Sequence, residues 1–176
     1  MRAICDDLDA ETQALSDVVA GLTEDEWRLP TPAAGWDTHE TIIHLGTADV
    51  AASMAVLDPD AFLALKEDML KGGGSLHSIG DVDFQAMSGQ EVWAWFASER
   101  TRMTEAFRPL GPKDRIPWFG PDMSALSFAT ARLMETWSHS HDVADTFGAQ
   151  YPQSDRLRHV APVSYTHLTL PTNREV

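Results

Sequence analysis

Glu135 and His139 are the residues whose types and spacing most directly suggest chemistry. They lie four positions apart in a Glu-x-x-x-His segment, within a stretch of helical periodicity, so both side chains should project from one helix face. Cβ atoms at this spacing are about 5–6 Å apart, which allows a carboxylate and an imidazole to bind one metal ion. A helix-stabilising pair worth a few tenths of a kcal/mol is the alternative interpretation.

His44 is the candidate for a third ligand. It lies in the middle of another apolar helix, between Ile43 and Leu45. Three protein ligands with a position left open for water or substrate form the usual catalytic metal site. A histidine in an apolar helix is also often a hydrogen-bonded core residue. A buried carboxylate needs a compensating cation, which favours a metal site at His44, Glu135 and His139 without excluding the structural alternatives.

Three further residues lie near these candidates. Asp142, three positions after His139, could orient its imidazole as a hydrogen-bond acceptor, or could be a surface acid. Arg132, three positions before Glu135, could pair with that residue or with a substrate carboxylate, or could be exposed to solvent. Trp118 lies in a loop bounded by proline and glycine, where it could wall a substrate pocket or simply pack against the core.

The remaining histidines in these helices are predicted not to be ligands. His141 lies about 200° around the helix from His139. His39 precedes His44 by five positions, which also places it on another face. Cys5 lies far in sequence from the histidines, and buried packing is the expectation for it.

Four long helices are predicted to position these residues. Apolar residues recur with helical spacing in four segments, 3–22, 37–58, 88–107 and 124–147. Helix-capping signals precede the last three of them. The connection between the second and third segments, 60–87, is long and irregular, with a short helix over 61–70. This pattern predicts an all-α four-helix bundle.

Composition narrows the functional classes. The chain has 176 residues and a net charge of −14, which repels phosphate backbones and anionic lipid, so neither nucleic acid nor a membrane is expected as a partner. Cys5 is the single cysteine, which rules out an internal disulfide. No signal peptide and no apolar run of about 18 residues is recognised. We therefore expect a cytoplasmic protein with one domain over residues 1–160.

Residues 161–176 fit none of the predicted elements. The segment PVSYTHLTLPT resembles a tail that arises when sequencing-adapter sequence is translated at the end of an assembled fragment. We expect it to replace a native C-terminal region, and we exclude its His167 from the metal prediction. An ordinary extended tail is the alternative.

Three motifs together resemble a known superfamily. They are Gly35-Trp36-Asp37 at the start of the helix that carries His44, the segment PWFGPDMS at 117–124, and the segment ARLMETWSHSHDVAD at 131–145. The combination is similar to the DinB-like metal-binding bundles, in particular to the N-terminal domain of mycothiol-dependent maleylpyruvate isomerase. The resemblance covers most of residues 1–160.

The resemblance implies a function. In that branch a divalent ion, usually zinc, is bound by residues that match His44, Glu135 and His139. The ion binds a low-molecular-weight thiol, mycothiol, and lowers the pKa of its sulfur, so that the thiolate attacks a small electrophile. We therefore expect a thiol transferase or isomerase-like protein. A homodimer is compatible with this expectation. A bundle that binds metal or a small ligand without turnover, or one with a purely structural ion, is the alternative.

Overall fold

The computed structural model describes residues 1–72 and 82–159. This part of the chain is mostly helical, which confirms the predicted all-α fold. Its helices are α1 (Arg2–Val19), α2 (Glu24–Trp27), α3 (Thr38–Leu57), α4 (Pro59–Leu70), α5 (Gly89–Phe107) and α6 (Ala125–Thr146). The four long helices of the bundle are α1, α3, α5 and α6. One short 3-10 turn, Phe84–Ala86, precedes α5, and another, Arg156–His159, follows α6.

The predicted helix starts coincide with side-chain caps. Asp37 accepts a hydrogen bond from the backbone N–H of Glu40 at the start of α3. Ser88 and Glu91 form a reciprocal capping box at the start of α5, and Ser124 caps α6. Each cap satisfies an N–H group that has no partner within its own helix. The local sequence therefore fixes where the helices that carry the candidate ligands begin.

Two details differ from the prediction. The short helix predicted over 61–70 begins two residues earlier, at Pro59, since proline has no N–H to lose in the first turn. Arg115–Ile116 and Met123–Ser124 form a two-residue antiparallel ribbon, β1 and β2, directly before α6. No periodic signal predicts strands this short.

Packing places α3 at the centre of the bundle. It lies along α5 and also contacts α6, while α1 lies along α6. The close approach of α3 and α5 depends on Gly46, because a Cβ atom there would lie 2.3 Å from the ring of Trp95. Two clusters of buried apolar side chains fill the interior, one around Phe62 and Phe128 and the other around Trp27 and Phe96.

The described part of the chain closes with a turn that is bound to α1. In that turn, Arg156 lies 2.5 Å from the buried Glu11, and Arg158 lies 2.6 Å from Asp7. The predicted tail, residues 161–176, lies outside the described residues. Among the helices of residues 1–72 and 82–159, none combines the length and apolarity that a membrane crossing requires.

Candidate metal centre

Three side chains meet where α3 and α6 are in contact. They are His44 of α3 and Glu135 and His139 of α6, and one ligand atom of each lies within 4.8 Å of the others. Nε2 of His44 is 3.5 Å and Nε2 of His139 is 3.7 Å from the same oxygen, Oε2 of Glu135. The structure thus brings together the residues that the sequence singled out as candidate ligands.

Helix geometry explains this arrangement. The four-residue spacing places Glu135 and His139 on one face of α6, and α3 presents His44 to that face. The neighbours Ile43 and Leu45 are buried, whereas the side chains of the three candidates keep 16–36% of their surface exposed. The cluster is therefore held by the bundle and remains accessible from solvent.

The donor set fits a divalent cation. Ligand atoms about 2.0–2.1 Å from a tetrahedral zinc ion are roughly 3.4 Å apart. The observed separations of 3.5 and 3.7 Å are close to this value. Two imidazoles and one carboxylate are ligands that zinc and several other first-row metals accept. Three protein ligands would leave a four-coordinate ion with one position for water or a small ligand.

Asp142 is placed to orient one of the imidazoles. Its Oδ2 lies 3.1 Å from Nδ1 of His139. A carboxylate can only accept a hydrogen bond, so Nδ1 of His139 is the donor, and Nε2 is the nitrogen on the side of Glu135. Metal-binding histidines commonly have such a partner, which fixes both the tautomer and the ring orientation.

The surroundings of Glu135 favour its charged form. A hydrogen bond with His44 lowers the pKa of this carboxyl group, and the charge of Arg132 acts in the same direction. Partial burial opposes both effects without overcoming them. Glu135 therefore remains a carboxylate at a lower pH than an ordinary glutamate does. The carboxylate is the form that binds a metal.

Trp36 lies against both histidines, a position that the sequence did not predict. Its ring centroid is 4.6 Å from that of His44 and 5.4 Å from that of His139. The loop before α3 holds it there through Gly35, whose φ of +87° favours glycine, and through Thr31, which donates two hydrogen bonds to the carbonyl of Trp36. The Gly-Trp-Asp motif was the only signal in the sequence that pointed to this tryptophan.

Arg132 is neither exposed nor hydrogen-bonded to Glu135, contrary to two of the expectations for it. Its side chain is only 5% exposed, and its Nε donates to Oδ1 of Asp49 at 3.1 Å. Its Nη2 donates to the carbonyl of Leu45 at 3.2 Å. The three-residue offset from Glu135 did place Arg132 close to the candidate ligands, but a carboxylate on α3 binds it.

Trp118 does not lie beside the candidate ligands. Its ring is 4.4 Å from that of Phe128 and stacks on that of Phe62 at 5.6 Å. Phe128 precedes Glu135 by seven residues, about 10 Å along the helix axis. Trp118 borders a different surface cleft, with Arg115 and Met123. Trp118 therefore packs against the core, the alternative interpretation of this residue, and the aromatic ring beside the candidate ligands is that of Trp36.

The two other histidines of these helices lie outside the cluster. His39 is fully buried, and its Nε2 lies 3.1 Å from the carbonyl of Met87. The ring of His141 packs between those of Trp137 and Tyr151, at 4.7 and 4.6 Å. Both residues occupy helix faces that point away from His44 and His139, as the helical spacing predicted.

Curated proteins with similar sequences are found. Two uncharacterized proteins, from two strains of Mycobacterium tuberculosis, are each 39% identical to this chain over 155 residues. The match covers 88% of this chain, and the chain spans 60% of the length of these relatives. No solved structure matches the chain significantly.

The match to a protein family extends over most of the chain and is much longer than any single motif. Residues 8–144 match the model of the mycothiol maleylpyruvate isomerase N-terminal domain. The matched range includes all three candidate ligands, Trp36 and Asp142. It also agrees with the resemblance inferred from the Gly-Trp-Asp and Glu-x-x-x-His motifs. The chain therefore belongs to the family of the mycothiol maleylpyruvate isomerase N-terminal domain.

Proposed function

We propose that this chain is the metal-binding domain of a thiol-dependent enzyme. In this proposal His44, Glu135 and His139 hold a divalent cation, with zinc as the first candidate. The observation that carries the proposal is the convergence of three donor atoms within 4.8 Å, from two helices that pack against each other in the bundle. Membership of the mycothiol-linked family supports it independently.

A bound divalent cation would lower the pKa of a thiol that coordinates it and so supply a nucleophilic sulfur near neutral pH. The residues of the chain prepare the site for that role. Glu135 contributes one negative charge, Asp142 holds His139 with Nε2 available, and Trp36 shields one side of the imidazoles from water. The other side stays open to a small molecule.

The proposed substrates are a low-molecular-weight thiol, mycothiol in the first instance, and a small electrophile. The proposed reaction is transfer of the thiol to the electrophile, or an isomerisation that the thiol assists. The chain has a net charge of −14, so an anionic substrate would be repelled at long range and would need a local cation to bind. A metal at this cluster would provide that attraction.

The first test is the metal content of protein purified without chelators. We expect close to one equivalent of a divalent metal by elemental analysis. Protein from the same preparation should lose the metal on dialysis against a chelator and regain one equivalent when zinc is added. A chain that neither carries nor takes up metal under these conditions would contradict the proposed site.

The second test addresses the thiol. A calorimetric titration of the zinc-loaded protein with mycothiol should show saturable binding, and the apo protein should show none. Equal heats with and without zinc would count against the thiol role. Saturable thiol binding without consumption of any offered electrophile would instead favour the alternative of a binding bundle.

A further inference from the structure

A buried charge network lies directly beneath the candidate metal centre. Asp49 of α3 is fully buried and is bound by two arginines. Nε of Arg100 donates to its Oδ2 at 2.6 Å, and Nε of Arg132 donates to its Oδ1 at 3.1 Å. Both arginine side chains are at least 95% buried. The three residues are called the Asp49 network below.

The Asp49 network joins all four long helices. Besides Asp49, Arg100 donates to the hydroxyl groups of Thr12 on α1 and Thr136 on α6, at 3.1 and 2.9 Å. Arg132 donates to the carbonyl of Leu45 on α3 at 3.2 Å. Each of these hydrogen bonds thus joins an arginine to a helix other than its own.

The attachment points are the immediate neighbours of the candidate ligands. Leu45 follows His44 in the chain, and Thr136 follows Glu135. Arg132 of α6 therefore binds the backbone of α3 one residue after His44. Arg100 of α5 binds α6 one residue after Glu135. These hydrogen bonds link α3 and α6 at the level of the candidate ligands along the helix axes.

Stability alone gives a poor account of this network. Two guanidinium groups share one carboxylate, so a net positive charge is buried, and desolvation of such groups is costly. Replacing a buried ion network by apolar side chains of similar volume is often neutral or stabilising. The best-attested role for a buried network is to specify one packing register among several of similar energy.

A metal site needs such a register. Ligand atoms must be placed within about 0.2 Å of their ideal distances from the ion, whereas apolar side chains can repack with small shifts of one helix along another. Directional hydrogen bonds from α6 to the α3 backbone do not tolerate such shifts. The network therefore supplies a constraint that apolar packing lacks.

We propose that Asp49, Arg100 and Arg132 are positioning residues, which hold α3 and α6 in the register that lets His44 meet Glu135 and His139. This inference rests on the proposed metal site. It predicts that the network matters more for metal affinity than for folding.

The test is the variant Asp49→Leu/Arg100→Met/Arg132→Met, with cobalt(II) as the metal probe. The apo variant should be at least as resistant to thermal unfolding as the apo wild type. Its cobalt(II) affinity should fall at least tenfold, and the visible absorption of its bound cobalt should change in position or intensity. A folded variant with wild-type affinity and spectrum would overturn the proposal.

A matched control replaces another buried ion pair. Glu11→Met/Arg156→Met removes a pair that joins α1 to the turn after α6 and makes no link between α3 and α6. Its cobalt(II) affinity should equal that of the wild type. A tenfold loss in this control as well would show that any core ion pair affects the site, and would overturn the specific role of the Asp49 network.

Arg132→Lys keeps the test decisive if the triple variant does not fold. Lysine retains the charge but cannot donate to Asp49 and to the Leu45 carbonyl in the same fork geometry. We expect a folded protein with cobalt(II) binding about three- to tenfold weaker and an altered spectrum, and unchanged binding would overturn the proposal. Absence of cobalt(II) binding in the wild type would instead refute the metal site itself, and the inference with it.

Discussion

The interface of α3 and α6 contains two polar clusters that are built in opposite ways. In the candidate metal centre, Glu135 lies 3.5 and 3.7 Å from its two histidine partners, and all three side chains reach solvent. In the Asp49 network, Asp49 and Arg132 lie a few residues away on the same two helices and Arg100 lies on α5; its ion pairs are 2.6 and 3.1 Å long and almost completely buried. The interface of these two helices thus contributes to one loose cluster and to one tight cluster.

The difference lies in how far the polar atoms of each cluster satisfy one another. Hydrogen bonds satisfy the carboxylate of Asp49 on both oxygens, so it has little capacity for another ligand. The contacts of Glu135 are at or beyond the limit of a good hydrogen bond, and their lengths are close to the separation of two ligand atoms on one zinc ion. Polar residues in a helix interface therefore need to be judged by distance and exposure as well as by type.

The largest expected effect concerns the stability of the tight cluster. Asp49→Ala leaves two buried guanidinium groups without their counter-charge and should reduce the free energy of unfolding by about 3–5 kcal/mol. Urea denaturation followed by circular dichroism measures this. The matched change in the loose cluster, Glu135→Gln, should stay within about 0.5 kcal/mol of the apo wild type. Equal losses in the two variants would remove the distinction between the clusters.

The second prediction concerns the affinity of the loose cluster for zinc. His139→Ala removes one of three candidate ligands and should lower zinc affinity at least a hundredfold, measured by competition with a chromogenic chelator. His141→Ala is the control, because it changes a histidine of the same helix that packs between Trp137 and Tyr151. Wild-type affinity in the His139 variant would contradict the ligand assignment.

A smaller effect is expected from the residue that orients the imidazole. Asp142→Asn keeps the size of the side chain but replaces a charged acceptor of the His139 Nδ1–H by a neutral one. Loss of such a partner typically costs 10- to 100-fold in metal affinity, so we expect a loss near the lower end of that range. Asp145→Asn, an exposed acid of the same helix, should leave the affinity unchanged. Loss of equal size in both variants would indicate a general charge effect.

The sequence predicted the parts of this site that depend on local periodicity. The shared face of Glu135 and His139 follows from a four-residue spacing, and the caps at Asp37, Ser88 and Ser124 set the helix starts. His44 was harder, because the partner of a helix depends on tertiary packing, and it was selected largely through the family resemblance. The proximity of these three residues in the structure agrees with that selection.

The sequence could not predict what lies around the ligands. Trp36 reaches the histidines through a loop that Gly35 and Thr31 shape, and such a conformation leaves no periodic signal. Arg132 was expected near Glu135, but its true partner, Asp49, is 83 residues earlier in the chain. Trp118 was placed near the ligands by sequence proximity to α6, whereas seven residues of helix separate its contact from the site. Long-range contacts decided all three cases.

The smallest predicted effect extends the comparison to two histidines of α3. His44 belongs to the loose cluster, while His39 is buried and donates from Nε2 to the carbonyl of Met87. Its Nδ1 is also buried and has no hydrogen-bond partner among the described residues. A proton on Nδ1 would therefore be poorly accommodated. Burial lowers the pKa of His39, and the nearby Arg28 acts in the same direction.

This shift makes folding sensitive to acid. The unfolded chain takes up a proton on His39 near pH 6.5, whereas the folded chain resists it to lower pH. The contribution of His39 to stability is therefore complete above about pH 6.5 and is lost as the pH falls toward the folded pKa, by at most about 1.4 kcal/mol per pH unit. His39→Gln keeps a donor for Met87 but cannot titrate. Urea unfolding at pH 7.5 and 5.5 measures the effect. The free energy of unfolding of the variant, relative to that of the wild type, should be higher at pH 5.5 than at pH 7.5. An equal difference at the two pH values would contradict the lowered pKa of His39.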